Sequence, residues 1–308
     1  MLKHKEYLSG YILILPFLIV FLVFLGYPII YSFILSLHKT TIYSDWYNKF
    51  SDMKFVGFMH YKELIFHDKE FWWSLIASII YGILTIPTGI ILSLLLAVIL
   101  SSKIKFASFY RSAFFMPFVF DMFVVGVIWT FLYAPKYGII DILLSKLGIN
   151  YFSETGILGN PKLVLPAIAI AVVLKGMGFG MVLYLTTIQT IPHSIYEAAE
   201  VDGANWFQKL WHITIPLVKP ITIFMIIMGI IGCLNAFTEI YAMTNNTGGP
   251  STTFLGETVR VAKISGYYLY RTFDDGFYGK AAAVSFILLA LAALISLVNA
   301  FFIERKKR

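Results

Sequence analysis

The stretch "IYEAAEVDGANWFQKLWHITIPLVKP" at Ile195–Pro220 places acids, an alanine pair and a glycine inside an otherwise apolar chain. The 308 residues are 59% hydrophobic and 13% charged, whereas soluble globular chains are about 25% charged. Apolar runs that match or exceed the roughly 20 residues needed to cross a bilayer lie on both sides of the stretch. We therefore predict an all-α integral membrane protein whose fourth and fifth spans are joined by this polar hairpin.

Six apolar runs are long enough to form transmembrane helices. The first, Gly10–Leu37, is too long for a signal-peptide core of about 7–15 residues and lacks an Ala-x-Ala site, so we expect it to be retained. The other runs are Phe71–Leu100, Ser112–Tyr133, Leu163–Ile188, Ile221–Met243 and Ala281–Ile303. The whole chain, 1–308, is expected to form one transmembrane domain with an N-terminal span at 10–37 and a core at about 71–303.

The orientation follows from short basic segments. With six spans, both termini lie on one side of the membrane, together with the link Ser101–Arg111 and the hairpin Thr190–Pro220. These segments are short and rich in Lys and Arg, which favours the cytoplasm, while the longer loops opposite count for little. We expect the N-terminus, the C-terminus and the hairpin to be cytoplasmic.

Several classes of function are disfavoured by the sequence. The net charge is +7, and many of the basic residues lie in short stretches at the termini and around Lys103 and Lys209. They form no stripe with interleaved aromatics, so no nucleic-acid partner is expected. Cys233 is the only cysteine, and the six histidines show no metal-type spacing. The chain lacks a GxxxxGK[ST] phosphate loop, so energy from ATP would have to come from another polypeptide.

Two short helices separated by Gly203 are predicted for the hairpin. His193 or Ser194 can cap the first helix, which carries Tyr196–Val201 with its acids near the positive end of the helix dipole. Gly203 then ends this helix, because glycine adopts a left-handed terminating conformation cheaply. The second helix, about Ala204–His212, is amphipathic, and we expect it to bury on its membrane side Trp206, Phe207, Leu210 and Trp211.

Two interpretations of the hairpin remain open at this point. An amphipathic helix lying flat in the headgroup layer explains the Trp and Phe side chains. It does not explain the acid-rich first helix, since acids are repelled by the negative inner leaflet. A small, acidic knob that docks into a groove on a partner protein explains this helix better.

The segment "EAAEVDGANWFQKLWHITIPL" has Glu-Ala-Ala, a Gly six residues after the Glu, and then Ile-x-Ile-Pro, with Ile215 where Leu is usual. It resembles the cytoplasmic coupling loop of binding-protein-dependent ABC importer permeases. The segments "FVGFMHYKEL" at Phe55–Leu64, "GVIWTFLYAPKYGIID", "LKGMGFGMVLYLTTIQTIPHSIYEAA" and "FTEIYAMTNNTGGP" also resemble the carbohydrate-uptake, maltose-type branch. The resemblance covers most of residues 50–300 in the expected order.

This resemblance implies a permease subunit in the inner membrane of a bacterial cell, which is not itself an enzyme and binds no cofactor. Its partners would be membrane lipid, a second homologous permease, two cytoplasmic ATPases that bind ATP and Mg, and an external solute-binding protein. The hairpin would dock into a cleft on an ATPase. The resemblance assigns this coupling role to Glu197, Ala198, Ala199, Asp202 and Gly203.

The transported solute is expected to cross near mid-membrane, where glycine-rich helices line a cavity. By resemblance to maltose-type permeases, the positions that line the sugar site are Gly176, Phe179, Met228, Gly232 and Asn235. The alternative for each glycine is that it serves helix packing alone. The cargo is expected to be a di- or oligosaccharide, although other polyols and glycerol phosphates use similar permeases.

Three ionisable residues, Asp121, Lys175 and Glu239, lie within the predicted spans. A lone charge there costs at least about 2.5–3.5 kcal/mol, so each needs a partner or water. Asp121 and Lys175 lie at matching depth and are predicted to pair, either as a structural feature or as a substrate contact. Glu239 is expected nearer the outer surface.

The outer loops at Thr40–Phe50 and Gly266–Gly279 are rich in aromatic residues. They fit either an interfacial aromatic belt or a docking surface for an external protein or ligand. Two other classes of protein are alternatives: an integral membrane enzyme, and a proton-coupled secondary transporter. The first would need convergent His, Asp or Glu side chains at one depth, and the second would not need the acidic hairpin.

Overall fold

A computed structural model describes residues 2–40, 53–101, 104–148 and 155–305 of the chain. Contacts divide the chain into two units, 1–68 with 269–290 and 69–268 with 291–308, which are described separately. Two helices contain residues of both units, α14 (Ser265–Asp274) and α15 (Tyr278–Arg305).

The first unit begins with a long apolar helix. α1 (Leu2–Phe21) continues through a π-helical segment, Leu22–Gly26, into α2 (Tyr27–Ser36). Nearly all of the described side chains from Tyr11 to Phe33 are solvent-accessible in the isolated chain, as expected for a helix whose surroundings are lipid. The helix therefore fits the predicted first span.

A small sheet and an ion-pair cluster order the rest of this unit. β1 (His38–Lys39) pairs antiparallel with β2 (Lys54–Phe55). Next to α3 (Met59–Phe66), Lys280 Nζ lies 2.9 Å from Glu63 Oε1 and 2.7 Å from Asp68 Oδ2. The described part of the predicted outer loop Thr40–Phe50 is Thr40 alone, and its other residues lie outside the described ranges.

The second unit is built on the packing of α4 (Lys69–Ser101) against α8 (Val164–Gln189). The buried side chains between them include Ala97, Met181 and Tyr184. Small residues allow the close approach typical of membrane helices, as at Ser93, whose hydroxyl donates to Met177 O at 3.1 Å. The other helices of this unit are α5 (Ala107–Val119), α6 (Met122–Leu132), α7 (Ile139–Lys146), α9 (His193–Val201), α10 (Trp206–Lys209), α11 (Ile215–Leu217), α12 (Lys219–Asn235) and α13 (Thr238–Met243).

Within the described residues, four helices are long and apolar enough to cross a membrane, or up to six if each bent helix pair forms one span. One bent pair is α5 with α6, which meet at 97°, and the other is Trp206–Leu217 with α12, at 66°. The predicted third span is therefore not a straight helix. It breaks at Asp121, which caps the start of α6. The Asp121 carboxylate accepts a hydrogen bond from the Phe123 amide at 2.8 Å.

The predicted fifth span, Ile221–Met243, is interrupted as well. α12 ends at Asn235, Ala236 is extended, and a separate helix, α13, begins at Thr238. The interruption is stabilised by Ser265, whose hydroxyl donates to the carbonyl of Leu234 at 2.7 Å and so pairs one of the carbonyls left free at the helix end.

The expectation of an all-α fold needs a correction, because the described chain also holds two small antiparallel sheets. The second sheet pairs β3 (Ser251–Phe254) with β4 (Glu257–Arg260). Leu255 and Gly256 form the turn with positive φ at both positions, the geometry that joins two-stranded hairpins. Threonine and valine in these strands favour extended backbone.

The predicted outer loop Gly266–Gly279 is largely helical, since most of it lies in α14. Tyr267 and Tyr268 are buried, and the Tyr267 hydroxyl donates to Asn246 Oδ1 at 2.9 Å. These two aromatic side chains belong to the packed interior of the second unit. Phe273 and Phe277 of the same loop are exposed, so an aromatic belt or docking surface there would be formed by these residues and not by the two tyrosines.

Candidate functional site

The first helix of the hairpin, α9, starts at His193, one turn before its acidic residues. Pro192 occupies the capping position, and no side chain caps the helix, so the expected cap by His193 or Ser194 is wrong. Proline fixes the backbone at the helix entrance without a capping hydrogen bond. The His193 imidazole instead lies 2.9 Å from Glu197 Oε1, one helical turn away.

The end of α9 confirms the predicted role of Gly203 as a helix terminator. Its φ is +77°, in the left-handed region that favours glycine. The Gly203 amide donates to Glu200 O at 3.0 Å, and the Ala204 amide donates to Ala199 O at 2.8 Å. These two bonds form a Schellman motif, which satisfies the free carbonyls and reverses the chain sharply.

The second part of the hairpin is shorter and more irregular than the predicted helix at Ala204–His212. Asn205 and Gln208 form a reciprocal capping box around α10, and a π-helical segment, Leu210–Thr214, follows. Of the four side chains expected to be buried, only Leu210 is buried within the chain. The exposed members of that set are Trp206, Phe207 and Trp211.

Two contacts hold α9 against the returning chain. Lys209 Nζ donates to Glu200 Oε1 at 2.7 Å, and this hydrogen bond lowers the pKa of the Glu200 carboxyl. The Tyr196 hydroxyl lies 3.0 Å from Thr214 Oγ1. Both contacts lie on the side that faces the chain, and no residue of α9 is buried.

The opposite side of the knob is therefore free for another protein. Four of the five predicted coupling residues are exposed and one is half-buried, and Val201 beside them is 89% exposed. An exposed surface of acids, alanines and one valine can make both ionic and close apolar contacts. The predicted coupling residues in this knob are Glu197, Ala198, Ala199, Asp202 and Gly203.

A cavity of about 300 Å³ lies between α4, α8, α12 and α13, all of them in the second unit. Gly176 and Gly232, two of the predicted pathway residues, line it, and a Cβ added at either would meet nothing within 4 Å. These glycines therefore leave space free, whereas a packing glycine would have a neighbour against it.

The other three predicted pathway residues do not line this cavity. Phe179 stacks on Phe118 with ring centroids 4.6 Å apart, and Met228 is 53% exposed. Asn235 donates its amide to Ile231 O at 2.9 Å near the end of α12. The structure thus brings together only two of the five residues.

Sequence reasoning missed the polar wall that α4 contributes to the cavity. Tyr81, Thr85, Gly89 and Ser93 line it together and recur at every fourth position of an apolar helix. Residues four apart share one helix face, so this spacing could have revealed the wall before the structure did. Cys233 on α12 also lines the cavity and was not predicted.

Two of the three predicted intramembrane charges, Asp121 and Lys175, have different partners from those expected. No ion pair joins Asp121 to Lys175 in the part of the chain that the structure describes, so that prediction is wrong. Lys175 Nζ donates to Phe118 O at 3.3 Å and lies 5.0 Å from the centre of the Phe118 ring. The break between α5 and α6 leaves both the Phe118 carbonyl and the Phe123 amide without a partner in a helix. Lys175 donates to the carbonyl, and Asp121 accepts a hydrogen bond from the amide.

Glu239 lies in the wall of the cavity and is only 8% exposed. The Tyr81 hydroxyl donates to Glu239 Oε1 at 2.9 Å. Within the described ranges, no three His, Cys, Asp or Glu side chains converge in a way that could hold a metal ion. The polar side chains of the cavity are therefore an acid, a phenol, a thiol and two hydroxyls.

Comparison with known proteins gives matches along the chain. The family model of the binding-protein-dependent transport system inner membrane component matches residues 70–308. The trehalose/maltose transport system permease protein MalF of Thermococcus litoralis is 32% identical, over 96% of this chain and 94% of that protein. The arabinooligosaccharides transport system permease protein AraP of Bacillus subtilis is 30% identical, over 97% and 89% of the two chains.

A solved structure shares the fold. It is the crystal structure of a bacterial alginate ABC transporter in complex with an alginate pentasaccharide-bound periplasmic protein. One of its chains matches with a TM-score of 0.79 and 22% identity, over 99% of this chain and 97% of that chain.

Proposed function

The chain belongs to the family of binding-protein-dependent transport system inner membrane components, and we propose that it forms half of the translocation pathway for a di- or oligosaccharide. Members of this family are membrane permease subunits of ABC importers and are not enzymes. The cargo would be delivered by an external solute-binding protein and moved by ATP hydrolysis on other subunits.

The observation that carries the proposal is the unburied helix α9. An acidic helix that buries none of its residues in its own chain, yet is fixed by a Schellman motif and two side-chain contacts, is preorganised for a partner. Glu197 is placed to pair with a basic group of a cytoplasmic ATPase, and Ala198 and Ala199 allow close approach. Asp202 and Gly203 set the turn that ends the docking surface.

The assembly would contain a second, homologous permease and two ATPases, which would hold ATP and Mg while this chain holds no cofactor. Both termini and the hairpin would be cytoplasmic, in the inner membrane of a bacterial cell. The two units would act as one permease domain, 1–308, with up to six spans. Closure of the ATPases on ATP would pull the hairpin and open the pathway outward.

The sugar class is supported by two relatives that are permeases for trehalose/maltose and for arabinooligosaccharides. The cavity with Gly176 and Gly232 in its wall is consistent with a solute path. A permease for another polyol or for a glycerol phosphate is the alternative.

The test is reconstitution of the complete transporter in vesicles, with uptake of labelled trehalose, maltose and arabinooligosaccharides measured beside ATP hydrolysis. Glu197→Lys is expected to abolish ATPase association and uptake together, because it reverses the charge at the docking surface. Ser194→Ala, on the same exposed helix, is the matched control and should leave both unchanged. ATPase association that survives Glu197→Lys would contradict the coupling assignment, and uptake of no sugar by the wild type would contradict the cargo.

A further inference from the structure

The cavity between α4, α8, α12 and α13 has one charged group in its wall among the described residues, the carboxyl of Glu239. We propose that Glu239 and Tyr81 form a specificity site that accepts hydroxyl groups of a neutral sugar and excludes anionic solutes. This inference rests on the proposed function, and it chooses between the two classes of cargo left open above.

The Glu239 carboxylate has unused hydrogen-bonding capacity. It is 8% exposed, and the bond from the Tyr81 hydroxyl to Oε1 is its one side-chain hydrogen bond among the described residues. A carboxylate can accept roughly four hydrogen bonds, and burying it without them is unfavourable. A solute with several hydroxyl donors would supply the missing bonds.

The other polar groups of the wall are already engaged. Thr85 Oγ1 donates to Tyr81 O at 2.8 Å and lies 3.4 Å from Cys233 Sγ. Ser93 Oγ donates to Met177 O at 3.1 Å. Thr85 and Ser93 have thus used their donors and can only accept further hydrogen bonds, whereas Glu239 is the one charged and therefore strongest acceptor in the described part of the wall. The remaining wall is mainly apolar, which suits the C–H face of a sugar ring.

Size and charge both favour a neutral sugar unit. At ~30 Å³ per water the cavity holds roughly ten water molecules, enough for one sugar ring with its hydroxyls. No Lys, Arg or His lines it within the part of the chain that the structure describes. A phosphate or sugar acid would meet a like charge with no cation to offset it, an arrangement that strongly disfavours binding.

The single cysteine gives a test that does not require the solute to be known. Cys233 lines the same cavity, so the complete transporter in membranes can be treated with an anionic and a cationic methanethiosulfonate reagent of similar size. The modification rate at Cys233 is then read from its peptide by mass spectrometry. We expect the cationic reagent to react at least about tenfold faster, corresponding to ~1.4 kcal/mol, and Glu239→Gln to remove the difference.

Tyr81→Phe keeps the carboxylate and should preserve the charge preference, and Glu257→Gln, an exposed acid outside the cavity, is the matched control. Equal rates for the two reagents in the wild type, or no reaction of Cys233 with either, would overturn the proposal. A cavity that admits a sugar must admit these smaller reagents. Sugar uptake by the wild type is measured separately. If uptake occurs but the reagents show no charge preference, the specificity site fails while the proposed function stands.

Transport kinetics give the second readout. For whichever neutral sugar the wild type carries, Tyr81→Phe and Glu239→Gln should raise KM about tenfold with little change in kcat, because they remove binding contacts. Thr88→Val, which removes a hydroxyl of α4 outside this cavity, should leave KM unchanged. Unchanged KM in both cavity variants would overturn the proposal, as would wild-type uptake of glycerol 3-phosphate but of no neutral sugar.

Discussion

Replacement of Gly203 by alanine isolates the contribution of the hairpin turn. The φ of Gly203 is +77°, and a Cβ added there meets nothing within 4 Å, so the substitution introduces strain without a clash. Left-handed backbone costs an L-residue about 1–2 kcal/mol. Asparagine tolerates this conformation better than alanine, so Gly203→Asn should retain much of the turn.

A cost of about 1–2 kcal/mol lowers the ratio of closed to open hairpin by roughly 5–30-fold. If α9 docks only when the turn is closed and the open hairpin becomes the major form, the affinity for the ATPase subunits falls by up to the same factor. The assay is titration of labelled ATPase onto the permease pair in lipid nanodiscs. We expect the order wild type, then Asn, then Ala.

Gly232→Ala is the control for this series, because its added Cβ also meets nothing within 4 Å but lies within α12. It should leave ATPase affinity unchanged. An alanine variant at Gly203 that binds as tightly as the wild type would refute the reasoning. So would an asparagine variant as weak as the alanine variant, since the φ argument requires them to differ.

Three further predictions concern stability. Tyr184→Phe removes a buried 2.8 Å hydrogen bond to Thr222 and should lower the free energy of unfolding in detergent by about 1 kcal/mol. Met181→Ala, at a fully buried position of the same cluster, should lower it by about 2–5 kcal/mol, and the reverse order would contradict the packing described. Because Lys209 lowers the pKa of Glu200, the stabilisation from their pair is complete above the ordinary glutamate pKa and is lost as pH falls through the lowered value. Protection of the hairpin amides from hydrogen exchange should therefore decrease on acidification in the wild type, and this pH dependence should be absent in Lys209→Met. The same pH profile in the variant and the wild type would contradict the pair.

Local patterns in the sequence predicted the features that depend on neighbouring residues. Within the described residues, the apolar runs located the four helices that are long and apolar enough to cross a membrane, and Gly203 was correctly predicted to end α9 in the left-handed conformation. The capping of α9 was predicted wrongly because Pro192 can start a helix without a side-chain cap. The four-residue spacing of Tyr81, Thr85, Gly89 and Ser93 was present in the sequence but was hidden by the apolar residues around it.

The sequence by itself determined that the chain is a membrane protein with a polar hairpin between its fourth and fifth apolar runs, because hydrophobicity and helix termination act over a few residues. Only the tertiary structure decided which polar groups meet. Asp121 and Lys175 are each satisfied by backbone groups that a helix break leaves free, a break that periodicity does not reveal. Tyr81 and Glu239, 158 residues apart, are brought together when four helices enclose the cavity.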